Sequence, residues 1–299
     1  MHSDIQSMEI KSRLQRILRV ALQVSVLVLG SIILTVFLKV FCFASFKVPS
    51  GSMEPTLISG DRILVNKMIL GPRVFKDWQF FKSGNWEMKR LSGIRRIKRN
   101  EVLVFNLPSC SNNWSKIELN FNENIVKRCI GIPGDTFYIE KGIYKVKGNR
   151  DTLGVYRNQL ELSIRNDLAL DSASKCFPYD SIHHWTLRNF GPFYIPKSND
   201  TLDLTITNIE LYRKLIAYET KKTIEISHGK VLIDGKAITK YVFKLNYYFM
   251  SGDNVFGSFD SRYWGLLPED HIIGKVSFIW KSEDENTGKF RWERFFKGV

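Results

Sequence analysis

The chain of 299 residues has only four cysteines, at positions 42, 110, 129 and 176, and five histidines, with no Cys-x-x-Cys or His-x-x-x-His spacing among them. Such spacings present ligands to a structural zinc, so no metal site and no cofactor are indicated. Acidic residues are scarce as well: 30 stand against 44 lysines and arginines, a formal net charge of +14. No internal repeat or low-complexity tract stands out, so a solenoid is not indicated. With 44% hydrophobic content the composition forces no disorder and is sufficient for a core.

One long apolar run is present. Val20 to Leu38 holds nineteen uncharged residues, polar only at Gln23, Ser25, Ser31 and Thr35. As a helix it spans about 28 Å, close to the ~30 Å hydrocarbon core of a bilayer. The apolar character continues past Lys39 through Val40, Phe41, Cys42, Phe43 and Ala44. Lys11, Arg13, Arg16 and Arg19 precede the run, and a basic flank is retained on the cytoplasmic side. The expected organisation is therefore a cytoplasmic N-terminus over 1–19, a transmembrane helix over 20–41 and an exported domain over 42–299. A cleaved signal peptide fits less well, because its apolar region runs for only about 7 to 15 residues.

Beside a bilayer, the excess positive charge fits attraction to anionic head groups better than nucleic acid, and a solvated basic surface without a partner fits it equally. Cys110, Cys129 and Cys176 fall on the predicted outer side, where a disulfide is permitted, and their pairing stays open.

Short β-branched or aromatic runs dominate the rest: Arg62–Asn66, Glu101–Phe105, Ile125–Ile130, Lys230–Asp234 and Ile272–Trp280, set between Gly, Pro, Asn and Asp. They predict a mostly β domain with a curved antiparallel sheet or barrel. Ile132-Pro133-Gly134-Asp135 and Asp234-Gly235-Lys236 read as turns. Ile209, Tyr212, Leu215 and Ile216 recur at helical spacing behind Thr207 or Asn208, either of which can cap a helix reaching about Thr220. Gly71–Arg99 and Asn149–Asn199 are less regular and read as loops, with an insertion expected over about 149–225.

Pro49-Ser50-Gly51-Ser52-Met53-Glu54-Pro55-Thr56-Leu57 places a serine beside a glycine between two prolines, a rigid turn that presents a hydroxyl. A serine needs a base to become a nucleophile. Histidine offers none: His2 precedes the span, His183 and His184 are adjacent, and His228 and His271 lie near strand ends without a motif. Lys127 is the alternative. It interrupts an apolar run, and period-2 alternation puts Ile125, Lys127 and Cys129 on one face, with Val126, Arg128 and Ile130 on the other. If the Lys127 face is covered, desolvation lowers the amine's pKa and leaves a general base; if the strand is an edge, both cations reach water. A third cluster, Ser251 to Asn254 and Ser258 to Gly265, packs small, acidic and hydroxyl residues just before the last long strand. Alone it reads equally as a tight turn or a calcium loop.

Taken in order, these segments resemble the bacterial type I signal peptidases, membrane-anchored Ser/Lys proteases that remove signal peptides from exported proteins. The likeness runs through the serine turn, Gly60-Asp61, Arg99–Phe105, Val126-Lys127-Arg128 with Gly131–Asp135, and Gly252-Asp253-Asn254 with Ser258, Asp260-Ser261-Arg262 and Gly265. It covers roughly Arg16–Asn106, Asn124–Tyr144 and Leu232–Ser282. The resemblance implies Ser52 as nucleophile, Lys127 as general base, and an oxyanion hole from the Ser52 N–H and the Ser50 hydroxyl. Ser258 would orient the lysine, with Asp253, Asp260, Arg262 and Arg128 supporting. Phe46, Val48, Pro49, Met53, Ile125 and Val126 would wall a pocket for the small side chains of Ala-x-Ala-like cleavage sites. Family members usually carry an Arg after Gly-Asp-Asn and an acidic or amide residue or two before the serine, where Val255-Phe256-Gly257 stand here.

The expected partners are preprotein signal peptides and a bilayer with anionic head groups, and the expected location is the plasma membrane with the catalytic domain outside. The aromatics Trp264, Phe290, Trp292, Phe295 and Phe296 suit either the membrane interface or ordinary packing. Two other Ser/Lys classes fit less well. Self-cleaving repressors lack the membrane span, and a penicillin-binding enzyme needs more than the Ser227-His228-Gly229-Lys230 spacing. A non-catalytic membrane-anchored β module that binds exported chains is the remaining alternative.

Overall fold

A computed structural model of the protein describes residues 2–75, 88–109, 114–164 and 176–299. Helix α1 (His2–Phe37) continues through a π turn, Leu38–Cys42, into strand β1 (Phe43–Lys47). Over Gln15–Cys42 it is the one helix, among the described residues, long and apolar enough to cross a membrane, and none of its most apolar window is buried in the protein. Its few hydroxyls are satisfied internally, as hydrocarbon requires: Ser25 donates to the Ala21 carbonyl at 2.9 Å and Thr35 to that of Ser31 at 2.8 Å.

Next come β2 (Asp61–Asn66), the paired β3 (Arg73–Phe75) and β4 (Met88–Arg90), β5 (Val102–Leu107), β6 (Asn120–Gly131), β7 (Thr136–Glu140) and β8 (Ile143–Val146). Helix α2 (Tyr156–Ile164), β9 (Phe190–Tyr194), β10 (Thr201–Asp203) and α3 (Ile209–Thr220) follow. The chain then runs through β11 (Ile224–Ser227), β12 (Lys230–Ile233), β13 (Lys236–Ile238), β14 (Lys240–Val242) and β15 (Tyr247–Ser251). It ends with the helical turn α4 (Ser261–Trp264), β16 (Leu267–Pro268), β17 (Ile272–Ser282) and β18 (Lys297–Gly298).

The main sheet is antiparallel, in the order β1-β2-β17-β5-β6-β15-β16, with β18 added to β17. Strand β17 pairs with β5 through Ile272–Lys275 and with β2 from Lys275 to Ser282, and bulges break its register. Each bulge bends a strand, so the sheet curves as expected. Gly274 permits a close approach of β17 to β2: a Cβ there would lie 2.5 Å from the Asn66 carbonyl oxygen.

Strand β5 shows why the sheet is buried on both sides. Val102 and Val104 face a core with Val48, Met53, Leu57, Ile63 and Val276, while Leu103 and Phe105 face another with Cys129, Met250 and Trp264. Trp264 therefore packs in the interior, whereas Phe290, Trp292 and Phe296 are exposed. The Asp234-Gly235 turn closes β12 on β13 with both residues at positive φ, as a two-residue hairpin requires.

A larger third core includes Phe137, Phe190, Phe193, Tyr212, Phe243 and Phe249. The stretch Asn149–Asn199, expected to be irregular, contributes α2 and β9 to it, because Leu162, Phe190 and Phe193 are buried there. Asn208 precedes α3 as expected but does not cap it with its side chain, which instead accepts the Thr205 N–H at 2.9 Å. Of the cysteines, Cys110 lies outside the described residues, and Cys129 is a buried free thiol.

Candidate active site

Three segments far apart in sequence meet at one place. The serine turn runs out of β1 as extended chain through Ser50 and closes as a single 3-10 turn over Gly51–Met53. Met53 and Leu57 are buried and anchor it from below. Val48 N–H donates to the Asp61 carbonyl at 2.8 Å and Gly60 N–H to the Val48 carbonyl at 3.0 Å, tying the turn to the start of β2. Gly60 has φ +89°, and a Cβ there would be 1.9 Å from the Glu283 carbonyl oxygen, so the Gly60-Asp61 motif has a steric cause.

Lys127 lies on β6 opposite Leu103 of β5, and its face is covered: the residue is 4% exposed. Its amine donates to Ser52 Oγ at 2.6 Å. Burial draws the amine's pKa down to about 8, helped by Arg262 and opposed by Asp260 and Asp253. Ser50 Oγ stands 3.4 Å from Ser52 Oγ, on the open side of the turn.

The segment between β15 and α4 supports both groups. Asn254 N–H donates to the Ser52 carbonyl at 3.1 Å and its Nδ2 to the Gly51 carbonyl at 3.2 Å. Asp260 gathers the Arg262 guanidinium as a two-bond fork at 2.8 and 2.8 Å, the Gly252 N–H at 2.9 Å and the Ser258 hydroxyl at 2.7 Å. Burial pushes the Asp260 carboxyl up, but Arg262 and these hydrogen bonds outweigh it and hold its pKa below the ordinary value. Ser258 differs from the expectation: its hydroxyl is engaged by Asp260 and makes no hydrogen bond to the Lys127 amine, which points to Ser52 instead.

Arg128, on the opposite face of β6 from Lys127, forks onto Asp253 at 2.7 and 2.6 Å and reaches the Asn100 carbonyl at 2.7 Å and Thr56 Oγ1 at 3.1 Å. It thus fastens the strand carrying the lysine to the turn carrying the serine. Where the family has charged or amide residues, Val255 is buried in the third core and the Gly257 N–H closes the loop on Asn254 Oδ1 at 3.0 Å. The loop keeps its place by packing rather than by an added ion pair.

A cavity of about 290 Å³ opens beside the hydroxyl. Phe46, Val48, Pro49, Met53, Ile125 and Val126 all line it, together with Ser50, Ser52, Val104 and Lys127. Two contributors were not assigned a role from sequence. Asn254 was visible in the Gly-Asp-Asn motif. Arg294 had no motif signal, yet it forks onto buried Asp61 at 3.0 and 2.6 Å and donates to the Thr56 carbonyl at 3.0 Å. No group of His, Cys, Asp and Glu suited to a metal ion occurs among the described residues.

Comparison with known proteins identifies relatives of the chain. Signal peptidase I of Buchnera aphidicola subsp. Baizongia pistaciae (strain Bp) is 28% identical over 271 residues, which cover 87% of this chain and 76% of that protein. Signal peptidase I of Haemophilus influenzae is 27% identical over 270 residues, 87% of this chain and 70% of that one. The Helicobacter pylori protein of the same name is 26% identical over 295 residues, 90% of each. A crystal structure of a signal peptidase I from Enterococcus faecalis V583 aligns at a TM-score of 0.27 and 16% identity over 62% of this chain and 100% of that one, too loosely to bear on the fold. The profile of the family described as signal peptidase, peptidase S26, matches residues 21–178 and 204–281, reaching into stretches that the quoted motifs do not cover. Matched over most of its length, this chain belongs to the signal peptidase, peptidase S26, family.

Proposed function

We propose that the chain is a membrane-anchored serine endopeptidase that removes signal peptides from exported preproteins. The observation that carries this reading is the buried Lys127 amine 2.6 Å from Ser52 Oγ, beside a cavity lined in part by apolar side chains. A module that only bound exported chains has no need of a desolvated amine against a hydroxyl.

The chemistry follows from the groups present. Ser52 Oγ attacks the carbonyl carbon of the residue before the cleaved bond while its proton passes to Lys127 Nζ. The charge that develops on the former carbonyl oxygen is met by the Ser52 N–H and the Ser50 hydroxyl; one such donor is worth about 10² to 10³ in rate. The tetrahedral adduct then collapses, the C–N bond breaks, and the Lys127 ammonium returns the proton to the departing amine of the mature chain. Lys127 next takes a proton from water, whose oxygen attacks the Ser52 ester; the carbonyl C–Oγ bond then breaks, the Lys127 ammonium returns the proton to Ser52 Oγ, and the signal peptide leaves with a new carboxyl group that ionises in water.

Substrate enters as extended chain beside β6, main-chain bonds supplying affinity and pockets supplying choice. Cleavage after Ala-x-Ala-like sequences is the specificity that membership of the signal peptidase family suggests, and Phe46, Val48, Met53, Ile125 and Val126 supply the apolar part of the cavity that would receive such side chains. The basic residues Lys11, Arg13, Arg16 and Arg19, which precede the apolar run within α1, argue for a single pass with the N-terminus cytoplasmic and residues 42–299 outside, against anionic head groups.

The decisive experiment is release of a signal peptide from a preprotein in detergent. Ser52→Ala and Lys127→Ala each abolish it while the fold persists by circular dichroism. Near-normal turnover by either variant overturns the reading.

A further inference from the structure

A second cavity, of about 620 Å³, reaches the same hydroxyl from another side. It shares Ser50, Ser52, Ile125 and Lys127 with the narrow pocket, and is otherwise walled by Gly51, Leu107, Trp114, Asn254, Gly257 and Phe259. Phe259 is 50% exposed although both its neighbours, Ser258 and Asp260, are buried. It is held out by a stack on Tyr263, with centroids 5.3 Å apart, and meets the edge of Trp114 at 4.9 Å. Trp114 rests on the core that holds Leu103 and Phe105, whereas Phe259 stands half in water beside the nucleophile, so the pair offers an aromatic surface anchored on the fold at one end.

We propose that the Trp114–Phe259 shelf receives the first residue of the mature chain, immediately after the cleaved bond, and selects an apolar or aromatic side chain there. The proposal rests on the protease reading above. A peptide stretched across Ser52 has its residues before the bond in the narrow pocket, so those after the bond leave on the other side. That side is wider, it is continuous with the attacking oxygen, and its bulky walls are Leu107, Trp114, Ile125 and Phe259. The occupant is therefore the leaving strand of the substrate. Its side chain acts only until the C–N bond breaks, so selection is confined to acylation.

The test uses the full-length enzyme in detergent and synthetic peptides identical up to an Ala-x-Ala site, with Leu, Phe or Gly after it. The expected result is kcat/KM roughly tenfold higher for Leu and Phe than for Gly, the low end of what an apolar pocket distinguishes. Deacylation is common to all three. Trp114→Ala and Phe259→Ala bring the Leu/Gly ratio to about one, and Trp114→Phe retains much of it. Because the ratio is taken on one preparation, a poorly folded fraction cancels. A flat ratio in the unmodified enzyme, or a ratio that both alanine variants leave intact, overturns the shelf and leaves the protease reading standing. Failure to cut any of the peptides overturns both. If the variants lose only binding to anionic vesicles with the ratio unchanged, the shelf is a lipid contact and the proposal is wrong.

Discussion

The amine of Lys127 donates to the hydroxyl of Ser52 at 2.6 Å, the reverse of the direction catalysis needs. To act as a base the nitrogen must offer its lone pair to the hydroxyl proton, which requires the neutral form. With its pKa drawn down to about 8 by burial, the amine makes that change near working pH.

Activity is therefore expected to rise with pH. Only about a tenth of the amine is neutral one unit below its pKa, so kcat/KM for an Ala-x-Ala peptide climbs about tenfold from pH 7 toward pH 9. A profile flat from acid to alkaline pH contradicts the assignment of Lys127.

The same burial carries a stability cost. The folded pKa lies below the ordinary 10.5, so the unfolded chain binds more protons between about pH 8 and 10.5. Stability thus rises with pH through that window, and the penalty is complete below it. Lys127→Met is expected to inactivate the enzyme yet raise its unfolding free energy at pH 7 by up to about 3 kcal/mol, with the gain shrinking toward pH 10. A urea melt in which the variant is less stable than the parent at pH 7 counts against a charged, buried amine.

Gly252→Ala tests how closely the loop must fit. A Cβ there falls 2.2 Å from Ser258 Oγ and 2.5 Å from the Ser52 carbonyl oxygen, so one of the two segments has to move. A displacement near 1 Å at a nucleophile costs about 10²-fold in rate. The expected outcome is a loss of that order in kcat in a protein that still folds; a fully active variant means that the loop yields freely.

Asp260→Ala leaves the Arg262 guanidinium, itself fully buried, without its partner. Removing one member of such a pair costs about 3 to 5 kcal/mol. A double variant, Asp260→Ala with Arg262→Met, is expected to recover part of that loss in thermal melts. No recovery means the cost came from the Ser258 and Gly252 hydrogen bonds rather than from the orphaned charge.

Arg294→Ala is expected to lower stability by about 3 kcal/mol for the same reason, since Asp61 is fully buried and Arg294 is its ion-pair partner. A change below about 1 kcal/mol in denaturant titration shows that Asp61 relies on the Ile58 N–H alone.

Local chemistry was legible in the residues themselves. The apolar run before residue 42, the glycine-flanked serine, the alternation that puts Lys127 and Cys129 on one face of β6, and the Asp234-Gly235 hairpin all depend on neighbours in sequence. Periodicity and turn preference act over a few residues, and the structure agrees with each of them.

Distance and burial were not legible. Whether Lys127 is desolvated depends on the sheet and loops that cover its face, and whether it reaches Ser52 depends on β5 and β6 pairing beside the serine turn 75 residues away. Arg294 on Asp61 spans 233 residues, with a motif at the Asp61 end and none at the Arg294 end. The hydrophobic pattern of α2 and β9 was too short and mixed to read, because their placement depends on β8 and β7, against which they pack. That Ser258 donates to Asp260, two residues on, was not read from the sequence either, because it depends on how the loop folds back on itself. Sequence named the groups able to react; only the close-packed interior decided which of them are dry, and which lie within a hydrogen bond of one another.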